Sequence, residues 1–187
     1  MDYIYSKNLE DWNDSFLKDL IHIDSIVYDP EAQGTYESVR DRFCANRDSV
    51  ILVYDDLRLA GYIAFFPITQ QLSARMLSEN KPFDDDILPG DILPTYTSNE
   101  AFDVFFISVA VLPAYQRRGL GAELVQKWLD YMSEKIKDGC KIRNGYAYAY
   151  SDEGARLLSK SGLYIIKDVE HQGLGSTVSH MGYNFIK

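Results

Sequence analysis

Residues 102–136 read FDVFFISVAVLPAYQRRGLGAELVQKWLDYMSEKI, and this stretch decides the fold. From Val104 to Leu112 the run is almost unbroken apolar, rich in β-branched and aromatic residues. That composition suits a strand buried on both faces. Pro113 has no amide hydrogen to give a neighbouring strand, so the strand should end there. Gln116-Arg117-Arg118-Gly119-Leu120-Gly121-Ala122 follows as a short loop. Beyond it, Leu124, Val125, Trp128, Leu129, Met132 and Ile136 recur at close to helical period. Lys135 and Lys137 suit the last turn of that helix, and Gly139 is placed to cap it.

Strand, glycine loop, helix is an arrangement that binds phosphate. Glycine permits close backbone approach and positive φ. The loop amides then converge where the helix dipole is positive. Arg117 and Arg118 add positive charge there, in a chain of net charge −9. The loop is not a Walker loop, because no Gly-Lys-Ser/Thr follows. It is not a dinucleotide fingerprint either, because GxGxxG is absent.

The segment VAVLPAYQRRGLGAELV resembles the acyl-CoA motif of the Gcn5-related N-acetyltransferases, (Q/R)-x-x-G-x-(G/A), with Gln116, Gly119 and Gly121 at its specified positions. The close match spans about a fifth of the chain. The resemblance implies an α/β fold with a mixed, mostly antiparallel sheet of six or seven strands. That sheet would be flanked by helices and splayed at the cofactor site. It further implies acetyl-CoA as co-substrate, with no metal. Val109, Ala110 and Val111 would pair with the pantetheine arm. Gln116, Arg117, Arg118, Gly119, Leu120, Gly121 and Ala122 would hold the pyrophosphate, with Asp152 nearby.

At 187 residues one domain, 1–187, is expected. With 46% hydrophobic and 13% aromatic residues it can build a substantial core. The acidic balance argues against a nucleic-acid partner. No apolar run approaches the roughly 18–20 residues of a membrane span. MDYIYSKNLEDW lacks the basic-then-apolar order of a signal peptide. Cys44 and Cys140 form no CxxC and read as free thiols. A cytoplasmic monomer or homodimer is the expectation.

Asp2 to Tyr5 suits a short strand, and Asn8 to Tyr28 an amphipathic helix on Leu9, Trp12, Phe16, Leu20, Ile23 and Val27. Thr35 is an N-cap candidate for a second helix to Ala45. Val50–Tyr54 and Leu57–Phe66 read as a hairpin, with Gly61 marking a bulge or a close backbone approach. Residues 67–100 form an insertion with a short helix at Gln70–Leu77 and an acidic run, Asp84-Asp85-Asp86. An insertion this long is expected to be a lid over the acceptor site, or else a solvated loop. As an anionic lid it would favour a cationic amine, and neutralising Asp84, Asp85 and Asp86 would raise KM for that amine.

In KIRNGYAYAY, Tyr146, Tyr148 and Tyr150 share one face, and Gly145, Ala147 and Ala149 the other, which admits a close helix. SDEGARLLSKSGL then resembles the family's second signature, N-x-x-A-x-x-L-Y-x-x-x-G-F, but Leu158 stands where the Tyr is usual. Relatives' Glu or His positions fall at Phe105 and Ile107. The remaining catalytic candidates are Asp103, one pleat along the same face, as proton acceptor, and Tyr146 or Tyr148 as acid or orienting group. The alternative places Asp103 at a strand edge and the tyrosines in a wall or the core.

The expected reaction is acetyl transfer from acetyl-CoA to a primary amine of a cationic small molecule or peptide. The departures at Phe105, Ile107 and Leu158 leave a second reading: an acyl-CoA sensor or interaction module with little turnover. His22, His171 and His180 show no metal-ligand spacing.

Overall fold

A computed structural model describes residues 4–6, 14–83, 86–96, 100–171 and 175–186. The elements in chain order are β1 (Ile4–Ser6), α1 (Asp14–Val27), α2 (Tyr36–Ala45), β2 (Val50–Asp55), β3 (Arg58–Ile68) and α3 (Gln70–Ser78). There follow β4 (Phe102–Val111), α4 (Leu120–Lys137), β5 (Ile142–Ala149), α5 (Asp152–Lys160), β6 (Tyr164–His171) and β7 (Ser176–Asn184). One seven-stranded sheet has the order β1-β2-β3-β4-β5-β7-β6. Only β4 and β5 pair in parallel among these neighbours, because α4 carries the chain across between them. The mixed, mostly antiparallel sheet expected from the sequence is thus present.

The sheet has a core on each face. On one side Trp128 is fully buried, with ring centroids 5.5 Å from Phe106, 5.9 Å from Phe185 and 6.5 Å from Phe65. On the other side α1, α2 and α3 supply Leu17, Leu20, Phe43, Leu72 and Met76 against Phe66 and Phe105. The small face of β5 does admit α4. A Cβ on Gly145 would lie 2.8 Å from Trp128 Cη2. Gly145→Ala should therefore lower stability by about 1–3 kcal/mol in thermal or denaturant unfolding, the range for an overpacked core. An unchanged melting temperature would mean Trp128 can move freely.

Local chemistry sets the ends of the elements. Thr35 Oγ1 accepts from Ser38 N at 3.2 Å, and Ser151 Oγ from Gly154 N at 3.1 Å, so both act as N-caps. Gly139, at φ +96°, closes α4, and its amide donates to Ile136 O at 3.0 Å.

The insertion starts later than residue 67. Pro67 belongs to β3, opposite Val104. The β2 ladder has already ended at Ala64, so the missing amide hydrogen breaks no pairing on that side. The carbonyl of Pro67 instead accepts from Leu93 N at 2.8 Å. Phe83, Ile87 and Ile92 are buried in the second core. The Arg75 guanidinium lies 4.9 Å from the Phe83 ring centroid. Lys167 Nζ donates to Leu77 O at 2.9 Å, at the end of α3.

Candidate active site

The parallel ladder of β4 and β5 runs from Phe102–Ile142 to Phe106–Ala147 and then stops. Beyond it the two strands diverge. On the β3 side, Ala64 faces Ser108 and Phe65 faces Phe106, so Ile107 is the extra residue of a β-bulge. The bulge bends β4 where the sheet opens. A cavity of about 770 Å³ fills the opening and continues under α1 and α2.

The outer end of this cavity is formed by the loop expected to bind phosphate. Gln116, Arg117, Gly119, Leu120, Gly121 and Ala122 line it. Gln116 Nε2 donates to Val111 O at 2.9 Å and ties the loop to the end of β4. Arg117 at φ +61° and Gly119 at φ +89° turn the backbone into α4. The first intrahelical bond is Glu123 N to Gly119 O at 3.0 Å, so the preceding amides have no partner within the helix. Such amides, at the positive end of an 18-residue helix dipole, suit a pyrophosphate. A Cβ on Gly121 would lie 3.3 Å from Leu157 Cδ2, so a bulky residue there would push on α5 as well as fill the cavity.

The sequence-derived binding set divides. Val109 and Val111 line the cavity, whereas Ala110 is fully buried in the second core and does not. Arg118 lies outside the lining, its guanidinium 5.7 Å from the Tyr115 ring centroid. Asp152 points elsewhere: it is exposed and pairs with Arg156 at 3.6 Å. Its neighbours Ser151, Glu153 and Gly154 line the cavity instead. An exposed first-turn residue of α5 is carried outward by the helical rotation, one position from the pocket.

Asp103 must be corrected as a proton acceptor. It is only 2% exposed and lies outside the cavity. Its carboxylate accepts from Arg143 Nη2 at 2.9 Å, Arg143 Nε at 3.2 Å, Asn144 N at 3.2 Å and Asn144 Nδ2 at 3.0 Å. Three of these bonds fall on Oδ1 and one on Oδ2, and together they stitch the irregular start of the β4–β5 ladder. Tyr146 is also outside the cavity, and burial first, then the Asp103 charge, pushes its hydroxyl up to about 12. Tyr148 does line the cavity, with its ring edge-on to Phe105 at 5.7 Å. His180 is buried between the rings of Tyr146 and Tyr148, at 5.6 and 4.8 Å. Burial lowers it to about 4, so it stays neutral at pH 7.

The inner end holds groups that no motif announces. Asp24 of α1, Tyr28, Tyr62 of β3 and Ser108 of β4 all line it. Tyr62 donates to Asp24 Oδ1. Ser108 Oγ donates to Tyr62 at 3.1 Å, and Tyr28 lies 3.1 Å from Ser108 Oγ. Tyr28 also donates to Val109 O at 2.8 Å. Burial raises the Asp24 carboxyl to about 6, against the Tyr62 hydrogen bond and the Arg42 charge, which favour ionisation. A signal for Asp24 existed in the sequence. It follows Leu20 by four residues and precedes Val27 by three, so a carboxylate sits on the apolar stripe of α1. Around it lie the apolar Leu20, Val27, Val39, Phe43 and Phe66, together with the buried Arg42.

Leu158 is buried and lines the cavity, so the second signature supplies no hydroxyl there. None of the described residues of 69–100 lines the cavity. Glu79 pairs with Arg75 at 3.3 Å and Asp86 with Lys81, while Asp91 Oδ2 accepts from Leu88 N at 3.1 Å. These carboxylates serve the insertion's own structure, which favours packing over a lid. Asp84 and Asp85 lie outside the described residues.

The family model described as "Acetyltransferase (GNAT) family" matches residues 9–156. This chain is a GNAT acetyltransferase. Solved GNAT structures share its fold at low identity. Arabidopsis thaliana NAA60 in complex with acetyl-CoA superposes with a TM-score of 0.69 at 15% identity, over 98% of this chain and 100% of that one. The NatC complex bound to Gag peptide and CoA gives 0.69 at 12% identity, with 100% of each chain covered. The ribosomal-protein-S18-alanine N-acetyltransferase from Escherichia coli gives 0.64 at 12% identity, over 100% of this chain and 96% of that one. A search of curated proteins finds no significant match. Among the described residues of this GNAT acetyltransferase, no helix is long and apolar enough to cross a membrane.

Proposed function

We propose that this GNAT acetyltransferase moves an acetyl group from acetyl-CoA to a primary amine of a small molecule or peptide, and that the amine adjoins an apolar group. The observation that carries this reading is one cavity with two chemically different ends. The α4 amides, Arg117 and Ser151 suit the phosphates at one end. The opened edge of β4 at Val109 and Val111 suits the pantetheine arm. At the other end Asp24 would attract an ammonium, and Leu20, Val39 and Phe43 would take its apolar neighbour. Acetyl-CoA, when bound, supplies the activated acyl group. The chain's own part is to hold both reactants in one orientation, which contributes up to roughly 7–11 kcal/mol in well-aligned cases.

The neighbours support the same reading: one is solved with acetyl-CoA, and another with CoA and a peptide. Leu158 favours a second reading, a CoA-binding module with little turnover, because an aliphatic side chain cannot protonate the leaving sulfur. Thiol release separates the two. The enzyme should liberate free CoA from acetyl-CoA in the presence of amines, tested over amino acids, peptides, polyamines and aminoglycosides. A protein that binds CoA by calorimetry and liberates none is the module.

Arg117→Glu should weaken acetyl-CoA binding about tenfold or more, since a hydrogen bond to a charged group contributes about 1.5–3 kcal/mol and the substituted charge repels phosphate. Thermal unfolding should hardly change, because Arg117 is exposed. The loss should shrink at high salt. Wild-type affinity in that variant would remove Arg117 from the phosphate site.

A further inference from the structure

The hydroxyls beside Asp24 form a chain whose hydrogens can be counted. Among the described residues it runs through four contacts: Asp24–Tyr62, Tyr62–Ser108, Ser108–Tyr28 and Tyr28–Val109 O. Each hydroxyl carries one hydrogen. With Asp24 ionised, three hydrogens serve four contacts. Tyr62 points to Asp24, Ser108 points to Tyr62, and the Tyr28 hydrogen is left to choose between Ser108 and the Val109 carbonyl. With Asp24 protonated, four hydrogens serve four contacts, and every hydroxyl can point toward Tyr28 and Val109. A proton gained at Asp24 thus reorients the chain so that its far end becomes the donor. That far end lies at the β4 bulge, where the sheet opens.

We infer that Asp24 accepts the proton of the acceptor amine and that Tyr28, reached through Tyr62 and Ser108, donates the proton required by the departing sulfur. This rests on the acetyl-transfer reading above. The step balances. The ammonium loses its first proton to solvent. As the N–C bond forms and the C–S bond breaks, one of the two hydrogens left on nitrogen passes to an Asp24 oxygen as a proton, and the other stays in the amide. The Tyr28 hydrogen goes to sulfur, and the hydrogens of Ser108, Tyr62 and Asp24 each move one place along. Asp24 ends ionised, as it began. Tyr28 thereby supplies the acid that Leu158 does not.

The groups facing Asp24 set its titration: Tyr62 from β3, Arg42 from α2, and its own burial. Tyr28 and Ser108 act on it through Tyr62.

The test joins a titration to kinetics. The Asp24 carboxyl of the ligand-free protein is followed by carbon NMR against Asp24→Asn as the blank. Its midpoint should lie near 6, and it should rise in Tyr62→Phe, which loses a bond that favours the ionised form. In Ser108→Ala the midpoint should stay near wild type while kcat falls at least tenfold and KM for acetyl-CoA is unchanged. In mixtures of light and heavy water the wild-type rate should fall along a curve, since several protons move together. Ser108→Ala should give a straight line. Tyr28→Phe should lower kcat as Ser108→Ala does. Wild-type kcat in both Ser108→Ala and Tyr28→Phe overturns the chain. So does a midpoint unmoved by Tyr62→Phe, whether or not acetyl transfer is found. If no amine releases thiol although Tyr62→Phe raises the midpoint, the acetyl-transfer reading fails and takes the catalytic role with it, leaving only a coupled buried network.

Discussion

Asp24→Asn should make the protein more stable at pH 8 while removing its proton acceptor. The sign follows from the direction in which burial moves the carboxyl. Burial holds the folded carboxyl near 6, above its ordinary value of 3.8. Between those values the folded state keeps a proton that the unfolded chain has released. Stability therefore falls as pH rises through this window and stays lower above it. The full loss is up to about 3 kcal/mol, at about 1.36 kcal/mol for each tenfold change in proton affinity between the two states. Asparagine stands in for the protonated acid and should recover that loss. In a chain of this size the melting temperature should rise on the order of 6–12 °C at pH 8 and hardly at all at pH 3. Acetyl transfer by the same variant should fall about 10²–10⁴-fold, the range for a general base. A variant that is inactive and also less stable at pH 8 would mark Asp24 as a structural anchor instead.

Gly61→Ala should be the most damaging single methyl in the sheet. Its Cβ would lie 2.5 Å from the Ala110 carbonyl oxygen and 3.1 Å from Val111 Cα. Both partners are backbone, so no side chain can swing aside. Gly61 pairs with Val111, and the register of β2 on β3 slips beside it, between Val53 and Tyr54. Relief requires β3 and β4 to separate at the stretch proposed to hold the pantetheine arm. We expect a loss of about 3 kcal/mol in denaturant unfolding, together with weaker acetyl-CoA binding by calorimetry. Gly90→Ala is the control, since a Cβ there meets nothing within 4 Å. If both variants unfold alike, the close approach of β3 to β4 is wrong.

Where the fold depends on local chemistry, it was legible. Glycines at 119 and 121 after a buried strand mark a tight turn into α4 without knowledge of any distant residue. The alternation in KIRNGYAYAY likewise named the face that receives Trp128. Register was not legible. Asp103 shares a pleat with Phe105 and Ile107, and that parity suggested a common site. The pairing of β4 with β5 places Arg143 and Asn144 against it, and no periodicity within either strand reports that. Asp24 carried a local signal, its place on the apolar stripe of α1, but not its role, because its partner Tyr62 lies 38 residues away. The insertion read as a lid or a solvated loop, whereas burial of Phe83, Ile87 and Ile92 packs part of it into the core.

The strand order has a consequence for how the chain is built. β7 lies between β5 and β6, yet it is made after both. As the chain leaves the ribosome, the sheet from β1 to β5 can assemble with its β5 edge open, and β6 has nothing to join. An open edge is where unrelated strands add. Emergence of Ser176–Asn184 closes that edge and admits β6 in a single event, docking Met181 into the core as it does so. A nascent chain stalled before Ser176 should therefore be protease-sensitive from β6 onward and should bind chaperones at β5, although the phosphate loop and α4 have already been made.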